Sequence, residues 1–222
     1  MEHYVVRVLQ AVFITHDVKR FVVEKPEGYH FIPGQATEVS INLPEWKDEK
    51  RPFTFTCLED KNYLEFMIKI YAEHKGVTDM LGRIKAGDEL ILRDVWGAIQ
   101  YKGPGVFIAG GAGITPFISI FRDLHQKNQL KGNRLIYSNK TAEDVIMEEE
   151  LQMILKDDFV KIFTRENVPG FASGRIDRNY LMENITDFKQ HFYICGPSAF
   201  VKSISALLVA LGATPDEVVF EK

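Results

Sequence analysis

The segment VFIAGGAGITPFISI, residues 106–120, runs from an apolar strand through Gly110, Gly111 and Gly113 into a helix. That order leaves backbone N–H groups at a helix start, where they can hold a nucleotide phosphate. Within it, Gly111, Gly113, Ile114, Thr115 and Pro116 belong to a G-x-G-x-x-P pattern, which differs from the dinucleotide pattern G-x-G-x-x-G at its last position. Pro116 is tolerated there because the first helical turn has no use for its missing donor. A tight strand-to-helix connection without a ligand explains the same residues. Cys195, Gly196 and Pro197 follow the apolar HFYI, at the carboxyl end of a second strand of this kind, where open parallel sheets bind ligands. Taken alone, Cys195 is equally a buried structural cysteine. The two turns together are harder to explain as unrelated packing.

A second kind of chemistry is offered by Arg51, Pro52, Phe53, Thr54, Phe55 and Thr56, which follow the polar segment PEWKDEK. Alternation along a strand puts Arg51, Phe53 and Phe55 on one side and Thr54 and Thr56 on the other. Pro52 suits an edge or a strand start. Arg51 can grip a phosphate through two parallel donors, Phe53 can wall a planar heterocycle, and Thr54 can set a hydroxyl beside it. The competing reading is a barrel strand with a surface arginine and core phenylalanines. Downstream, His74, Lys75, Gly76, Val77 and Thr78 lead from a strand ending near Tyr71 into a short helix. Gly76 permits close backbone approach, and the amides of Val77 and Thr78 can meet an anion at the helix start. Thr78 as a plain N-cap and Lys75 as a solvated loop charge are the alternatives.

These residues require two frames. Before Tyr101 the apolar runs are short, often alternating and punctuated by Pro26, Gly28, Pro33, Gly34, Pro44, Gly82 and Gly87. After it they are continuous and alternate with helix-like segments, the form of buried parallel strands with covering helices. The pattern predicts strands near 3–14, 19–25, 36–43, 52–58, 63–71 and 88–95, with a helix at 78–84 capped by Thr78 or nearby polar groups. It then predicts strands at 105–109, 133–138, 159–164, 191–195 and 217–221, and helices near 115–128, 143–155, 176–183 and 198–211. The expected fold is a two-domain β plus α/β chain: an antiparallel β-barrel over residues 1–100, then an open parallel sheet with covering helices over residues 101–222. A chain of 222 residues accommodates two modest cores, and Gly103 and Pro104 mark the junction.

Composition removes several function classes. With 27 basic and 31 acidic residues and a net charge of -4, no broad positive field exists to hold nucleic acid. Cys57 and Cys195 are too few for a disulfide framework or a four-cysteine iron–sulfur site. The histidines at 3, 16, 30, 74, 125 and 191 show no metal-ligand spacing, so no metal is expected. MEHYVVRVLQ is strand-like rather than a signal peptide, and no apolar run is long enough for membrane insertion. A cytoplasmic location is the expectation, with attachment through a partner left open.

RPFTFT, HKGVT, GGAGITPF and YICGP, in this order from about Val5 to Glu221, resemble the ferredoxin–NADP reductase and flavodoxin reductase superfamily. The resemblance implies a flavin-binding barrel carrying FAD and a nucleotide-binding sheet carrying NAD(P)H. It implies that Arg51 binds the flavin pyrophosphate, that Phe53 packs on the flavin in place of the common tyrosine, and that Thr54 hydrogen-bonds near flavin N5. Gly76 to Thr78 would supply pyrophosphate contacts, with Pro52, Ile70 and Lys75 beside the same cofactor. The glycine turn would hold the nicotinamide nucleotide pyrophosphate, with Cys195, Gly196 and Pro197 near the nicotinamide. Ser138, Lys140, Thr164 and Arg165 would meet the adenosine ribose, where the two cations suit NADPH and leave NADH possible. Glu221 matches an acidic residue of the family and would support proton movement or nicotinamide placement, although the family's terminal aromatic is missing. The implied activity is hydride transfer from NAD(P)H to FAD and delivery of electrons to an external ferredoxin- or flavodoxin-like acceptor. A flavin-bearing regulatory subunit of a larger redox complex is the alternative, and FMN remains possible in place of FAD.

Overall fold

The computed structural model describes residues 3–97, 99–214 and 218–220. The chain divides into two compact units, residues 1–97 with 115–123, and residues 98–114 with 124–222.

The first unit is an antiparallel near-barrel of six strands: β1 (Tyr4–Phe13), β2 (Val18–Glu24), β3 (Ala36–Ile41), β4 (Arg51–Thr54), β5 (Tyr63–Lys69) and β6 (Glu89–Trp96), in the order β4-β3-β6-β1-β2-β5. A short helix, α1 (Val77–Arg83), lies between β5 and β6. The two edge strands approach where the Thr56 amide donates to the Glu65 carbonyl at 2.9 Å. Alternation buries one face of the strands. Phe21, Val39, Phe55, Leu64, Phe66 and Leu92 are all fully buried. Phe55 sits at the centre, stacked on Phe31 with ring centroids 4.2 Å apart and tilted against Phe66 at 5.2 Å. Each such ring contributes about 1.5–3 kcal/mol by leaving water.

The expected strand at 52–58 ends early, at Thr54, for a physical reason. The Phe55 amide donates to Gln35 and the Thr56 amide to Glu65 across the opening, so the chain leaves one partner for another. The simple alternation therefore fails: Thr56 and Phe55 are both fully buried, while Arg51 is exposed. Helix α1 starts at Val77, with Gly76 as its N-cap and no side-chain cap hydrogen bond, so Thr78 is not the cap.

The second unit is built on a parallel sheet of β7 (Gly105–Gly110), β8 (Arg134–Asn139), β9 (Phe159–Phe163), β10 (Ala172–Ser173), β11 (His191–Cys195) and β12 (Val218–Phe220), in the order β10-β9-β8-β7-β11-β12. Helix α2 (Thr115–Gln126) follows β7, and its residues 115–123 group with the near-barrel. Helices α3 (Glu148–Leu155), α4 (Arg178–Asn184) and α5 (Ser198–Ala210) complete the chain. The continuous apolar runs are buried parallel strands, as the pattern implied. The helix expected over 143–155 is broken: a capping box between Thr141 and Asp144 closes a 3-10 turn at Ala142–Asp144, and Met147 at φ +55° precedes α3. Helix α4 is capped by Asp177, which accepts from the Tyr180 amide at 2.8 Å. The short edge strand β10 carries no apolar run of its own and was not expected. Tyr193 ties down the segment entering β7: its hydroxyl accepts from the Lys102 and Gly103 amides at 2.9 and 3.1 Å. Among the described residues, no helix is long and apolar enough to cross a membrane.

Candidate functional site

In the first unit, β4 is an edge strand, which is where Pro52 costs no ladder hydrogen bond. Arg51 is exposed at its start. Its Nη1 donates to the Lys50 carbonyl at 2.6 Å and its Nη2 lies 3.7 Å from Glu49, so the guanidinium is held by local contacts at the surface. Phe53 is half-buried and packs against the core. Thr54 is half-buried at the strand end, and Thr115 Oγ1 donates to its hydroxyl at a long 3.5 Å.

The loop at 75–78 is shaped from both ends. Lys75 is exposed in the left-handed region at φ +48°, and Gly76 is extended. The Val77 side chain is in the core. Ile70 packs on the same core, and a Cβ on Gly82 of α1 would stand 3.0 Å from its Cγ2. The far end of α1 is held by the buried Lys19, whose ammonium donates to the Gly82 and Ile84 carbonyls at 2.8 and 2.6 Å. Burial lowers the Lys19 pKa, against an opposing pull from Asp88.

Sequence reasoning missed a polar cluster next to this site. Glu65, 1% exposed, accepts from Thr56 Oγ1 at 2.8 Å, Arg122 Nη1 at 2.7 Å and Arg20 Nε at 2.6 Å. Burial alone would raise the carboxyl's pKa, but the charge and hydrogen bond of Arg122, with Thr56 and Arg20, outweigh it and hold the group below the usual range. The signal was present in α2, where Thr115, Ser119 and Arg122 place polar groups on one face of a largely apolar helix.

In the second unit, the carboxyl ends of β7, β8, β9 and β11 gather the remaining residues along one edge of the sheet. Gly111 leaves β7 at φ +53°, with open space where a Cβ would be, and opens a 3-10 turn over Gly111–Ile114. Tyr137 donates to the Gly111 carbonyl at 2.9 Å. A Cβ on Gly113 would lie 2.4 Å from the carbonyl carbon and oxygen of Cys195, and one on Gly196 would lie 3.2 Å from Gly110 N and Cα. The two turns are therefore packed backbone to backbone. Ile114 and Pro116 are buried, so what Ile114 can offer a ligand is backbone; Thr115 is 9% exposed. Cys195 is 8% exposed, and Pro197 is the N-cap of α5. Ser138 pairs with Gly110 in register, the Thr164 amide donates to the Asn139 carbonyl at 2.8 Å, and the Arg165 amide donates to the Lys140 carbonyl at 2.9 Å. Lys140 and Arg165 are thus neighbours, both exposed. Glu221 and the side chain of Phe220 lie outside the described residues.

The donor sets fit two nucleotide cofactors. An exposed guanidinium, a half-buried ring and a hydroxyl in sequence on β4 suit a flavin bearing phosphate. The uncrowded Gly111 and the close-packed Gly113 suit a pyrophosphate lying over a glycine turn.

A model of the oxidoreductase FAD-binding domain matches residues 5–101, and one of the oxidoreductase NAD-binding domain matches residues 107–206. The chain belongs to the FAD/NAD-binding oxidoreductase superfamily related to ferredoxin and flavodoxin reductases. It is 28% identical over 213 residues to NADH-cytochrome b5 reductase 2 of Mycosarcoma maydis, covering 86% of this chain and 60% of that protein. It is 28% identical over 222 residues to the reductase component of propane 2-monooxygenase of Rhodococcus jostii, covering 91% and 58%. The chain thus spans less than two thirds of either relative. In fold it is similar to a ferredoxin NADP+ reductase from Neisseria gonorrhoeae with bound FAD and NADP, with a TM-score of 0.87 and 21% identity over 100% of this chain and 98% of the other.

Proposed function

We propose that the protein is a flavin-dependent NAD(P)H oxidoreductase, with residues 1–100 binding FAD and residues 101–222 binding the nicotinamide nucleotide. The observation that carries this reading is the backbone packing of the Gly111–Gly113 turn on Cys195 and Gly196, at the carboxyl edge of a parallel sheet. A bound flavin accepts one hydride, that is two electrons together, and releases them singly, which makes it a converter between a nicotinamide and a one-electron carrier.

In this reading Arg51, Lys75 and the amides of Gly76 to Thr78 bind the flavin phosphates. Pro52 and Ile70 contact the same cofactor, Phe53 packs on the ring system and Thr54 directs its hydroxyl at the reacting edge. Gly111, Gly113, Ile114, Thr115 and Pro116 receive the nucleotide pyrophosphate. Ser138, Lys140, Thr164 and Arg165 receive the adenosine end, and Cys195, Gly196 and Pro197 orient the nicotinamide. The two adjacent cations favour NADPH over NADH. No side chain needs to act as a nucleophile; donor and acceptor atoms must be held at about 3–3.5 Å. Glu221 is the proposed proton-handling group.

The electron acceptor is an external ferredoxin- or flavodoxin-like carrier in the cytoplasm. A second reading, as the flavin-bearing subunit of a larger redox complex, is supported by the similarity to a monooxygenase reductase component. Extraction and chromatographic identification of the yellow cofactor, followed by anaerobic reduction with NADPH and NADH, tests the proposal. One FAD per chain reduced by either nucleotide supports it. FMN alone overturns the FAD assignment, and no flavin binding overturns the whole. Rapid turnover with small carriers favours the independent reductase, and a stable complex with slow turnover favours the subunit.

A further inference from the structure

Helix α2 meets the near-barrel through a stripe of three residues. Thr115, Ser119 and Arg122 recur at i, i+4 and i+7, which stacks them on one face. Thr115 Oγ1 donates to Thr54 Oγ1 at 3.5 Å, Ser119 Oγ accepts from the Gly34 amide at 3.1 Å, and Arg122 Nη1 donates to the Thr56 carbonyl at 2.8 Å and to Glu65 at 2.7 Å. Glu65 in turn grips the Thr56 hydroxyl, while its own carbonyl accepts the Thr56 amide at 2.9 Å. Thr56 is therefore fixed through its amide, carbonyl and hydroxyl, only two residues beyond Thr54.

Attaching a helix to a sheet does not require this. Well-packed apolar side chains of similar volume commonly replace a buried ion pair without loss of stability. What a guanidinium and a carboxylate add is direction, because the planar donor fork accepts few arrangements of its acceptors. The direction is given to the two residues, Thr54 and Thr115, that lie at the end of β4 and the start of α2.

We propose that Arg122 and Glu65 are positioning residues for flavin reduction: their part-buried ion pair locks Thr56, and through it sets Thr54 against Thr115. The inference rests on the proposed reading of Thr54 as the hydroxyl at the reacting edge of the flavin. It also gives a reason for residues 115–123 to group with the near-barrel, since the helix that follows the glycine turn is referenced to the strand carrying Thr54. Misplacement by about 1 Å costs on the order of 100-fold in rate, so a small shift of Thr54 is readable.

Stopped-flow reduction of the flavin-loaded full chain by NADPH and NADH, for wild type, Arg122→Lys and Arg122→Met, tests this. It is accompanied by the visible absorption of the bound flavin and by hydrogen exchange of residues 115–126. Arg122→Met is expected to reduce its flavin at least tenfold more slowly at saturating nucleotide. Its flavin band shape should change, and amides 115–123 should exchange faster. Arg122→Lys, which keeps the charge and loses the fork, should fall between the two. Either variant, folded and flavin-loaded, reducing at the wild-type rate overturns the proposal, and Arg122→Lys decides it alone if Arg122→Met does not fold. A loss confined to flavin affinity, with the rate per bound flavin unchanged, overturns it as well. A wild-type protein whose flavin is not reduced at all instead removes the functional reading beneath it.

Discussion

Gly113 lies so close to Cys195 that a Cβ on the glycine would stand 2.4 Å from the cysteine's carbonyl carbon and oxygen and 2.5 Å from the Gly196 amide nitrogen. The contact joins two turns more than eighty residues apart in sequence, and it is made by backbone on both sides. No flexible side chain is present to yield. The glycine is required here by space, since its φ is not among the positive values, whereas Gly111 beside it is required by its backbone angle of φ +53°.

Gly113→Ala should therefore part the two turns. Overpacking a tight site costs about 1–3 kcal/mol, which thermal unfolding will read as a lowered midpoint for the second unit. Nicotinamide nucleotide affinity should fall in the same variant, because the turn and Cys195 are displaced together. Gly111→Ala places its Cβ in open space, so its cost should come from backbone strain alone, about 1–2 kcal/mol. A Gly113→Ala protein with wild-type melting and titration by NADPH would remove the close contact as a determinant of the site.

Arg51→Ala should weaken flavin retention without unfolding either unit, because the side chain is exposed and its contacts are to neighbouring residues. A hydrogen bond to a charged group is worth about 1.5–3 kcal/mol, or roughly 10- to 150-fold in affinity. Fluorescence titration of the flavin-free protein checks this. The effect should be large for FAD and small for riboflavin, which has no phosphate for Arg51 to hold. An equal loss for both would move Arg51 away from the phosphates.

Glu65 gives the stability an acid limb. Its folded-state pKa is depressed, with burial opposing and Arg122, Thr56 and Arg20 prevailing. The sign follows from linkage: the contribution is complete above the unfolded carboxylate pKa of about 4.3 and is lost as pH falls through the folded value. Melting temperature measured between neutral pH and about pH 3 should drop more steeply in wild type than in Glu65→Gln, which has no charge to lose. Parallel curves for the two proteins would show that the carboxylate is not the group being titrated.

The frames on which these residues sit were legible in sequence, and their cross-chain relations were not. The apolar runs give parallel strands expected to end at 109, 138, 164 and 195, within one residue of the observed ends at Gly110, Asn139, Phe163 and Cys195, because buried strands need no alternation. The end of β4 at Thr54 was not legible, since Phe55 and Thr56 turn to Gln35 and Glu65, partners that no local pattern announces. Thr78 reads as a cap by residue type, yet Gly76 takes that place without a side-chain bond. The pairing of Glu65 with Arg122 spans 57 residues. Each looks like an ordinary charge until the fold buries Glu65 and brings Arg122 against it.

The last expectation concerns hydride transfer. Thr54→Val keeps the branched shape and removes the hydroxyl, and with it both the proposed flavin contact and the bond from Thr115. Cys195→Ser keeps the size at a position 8% exposed and replaces a soft, weakly hydrated surface by a polar one. Both variants should fold and bind flavin, and each should slow flavin reduction when pre-steady-state absorbance is followed after mixing with NADPH or NADH. A tenfold loss corresponds to about 1.4 kcal/mol in the activation barrier. Substitution of deuterium at nicotinamide C4 separates the causes: a variant that slows the chemical step keeps or increases the isotope effect, and one that slows nucleotide binding reduces it. Subsequent electron delivery to an external acceptor should be unaltered once the flavin is reduced, because neither substitution touches that step. If both variants are reduced at the wild-type rate with unchanged nucleotide affinity, Thr54 and Cys195 have no part in positioning the hydride.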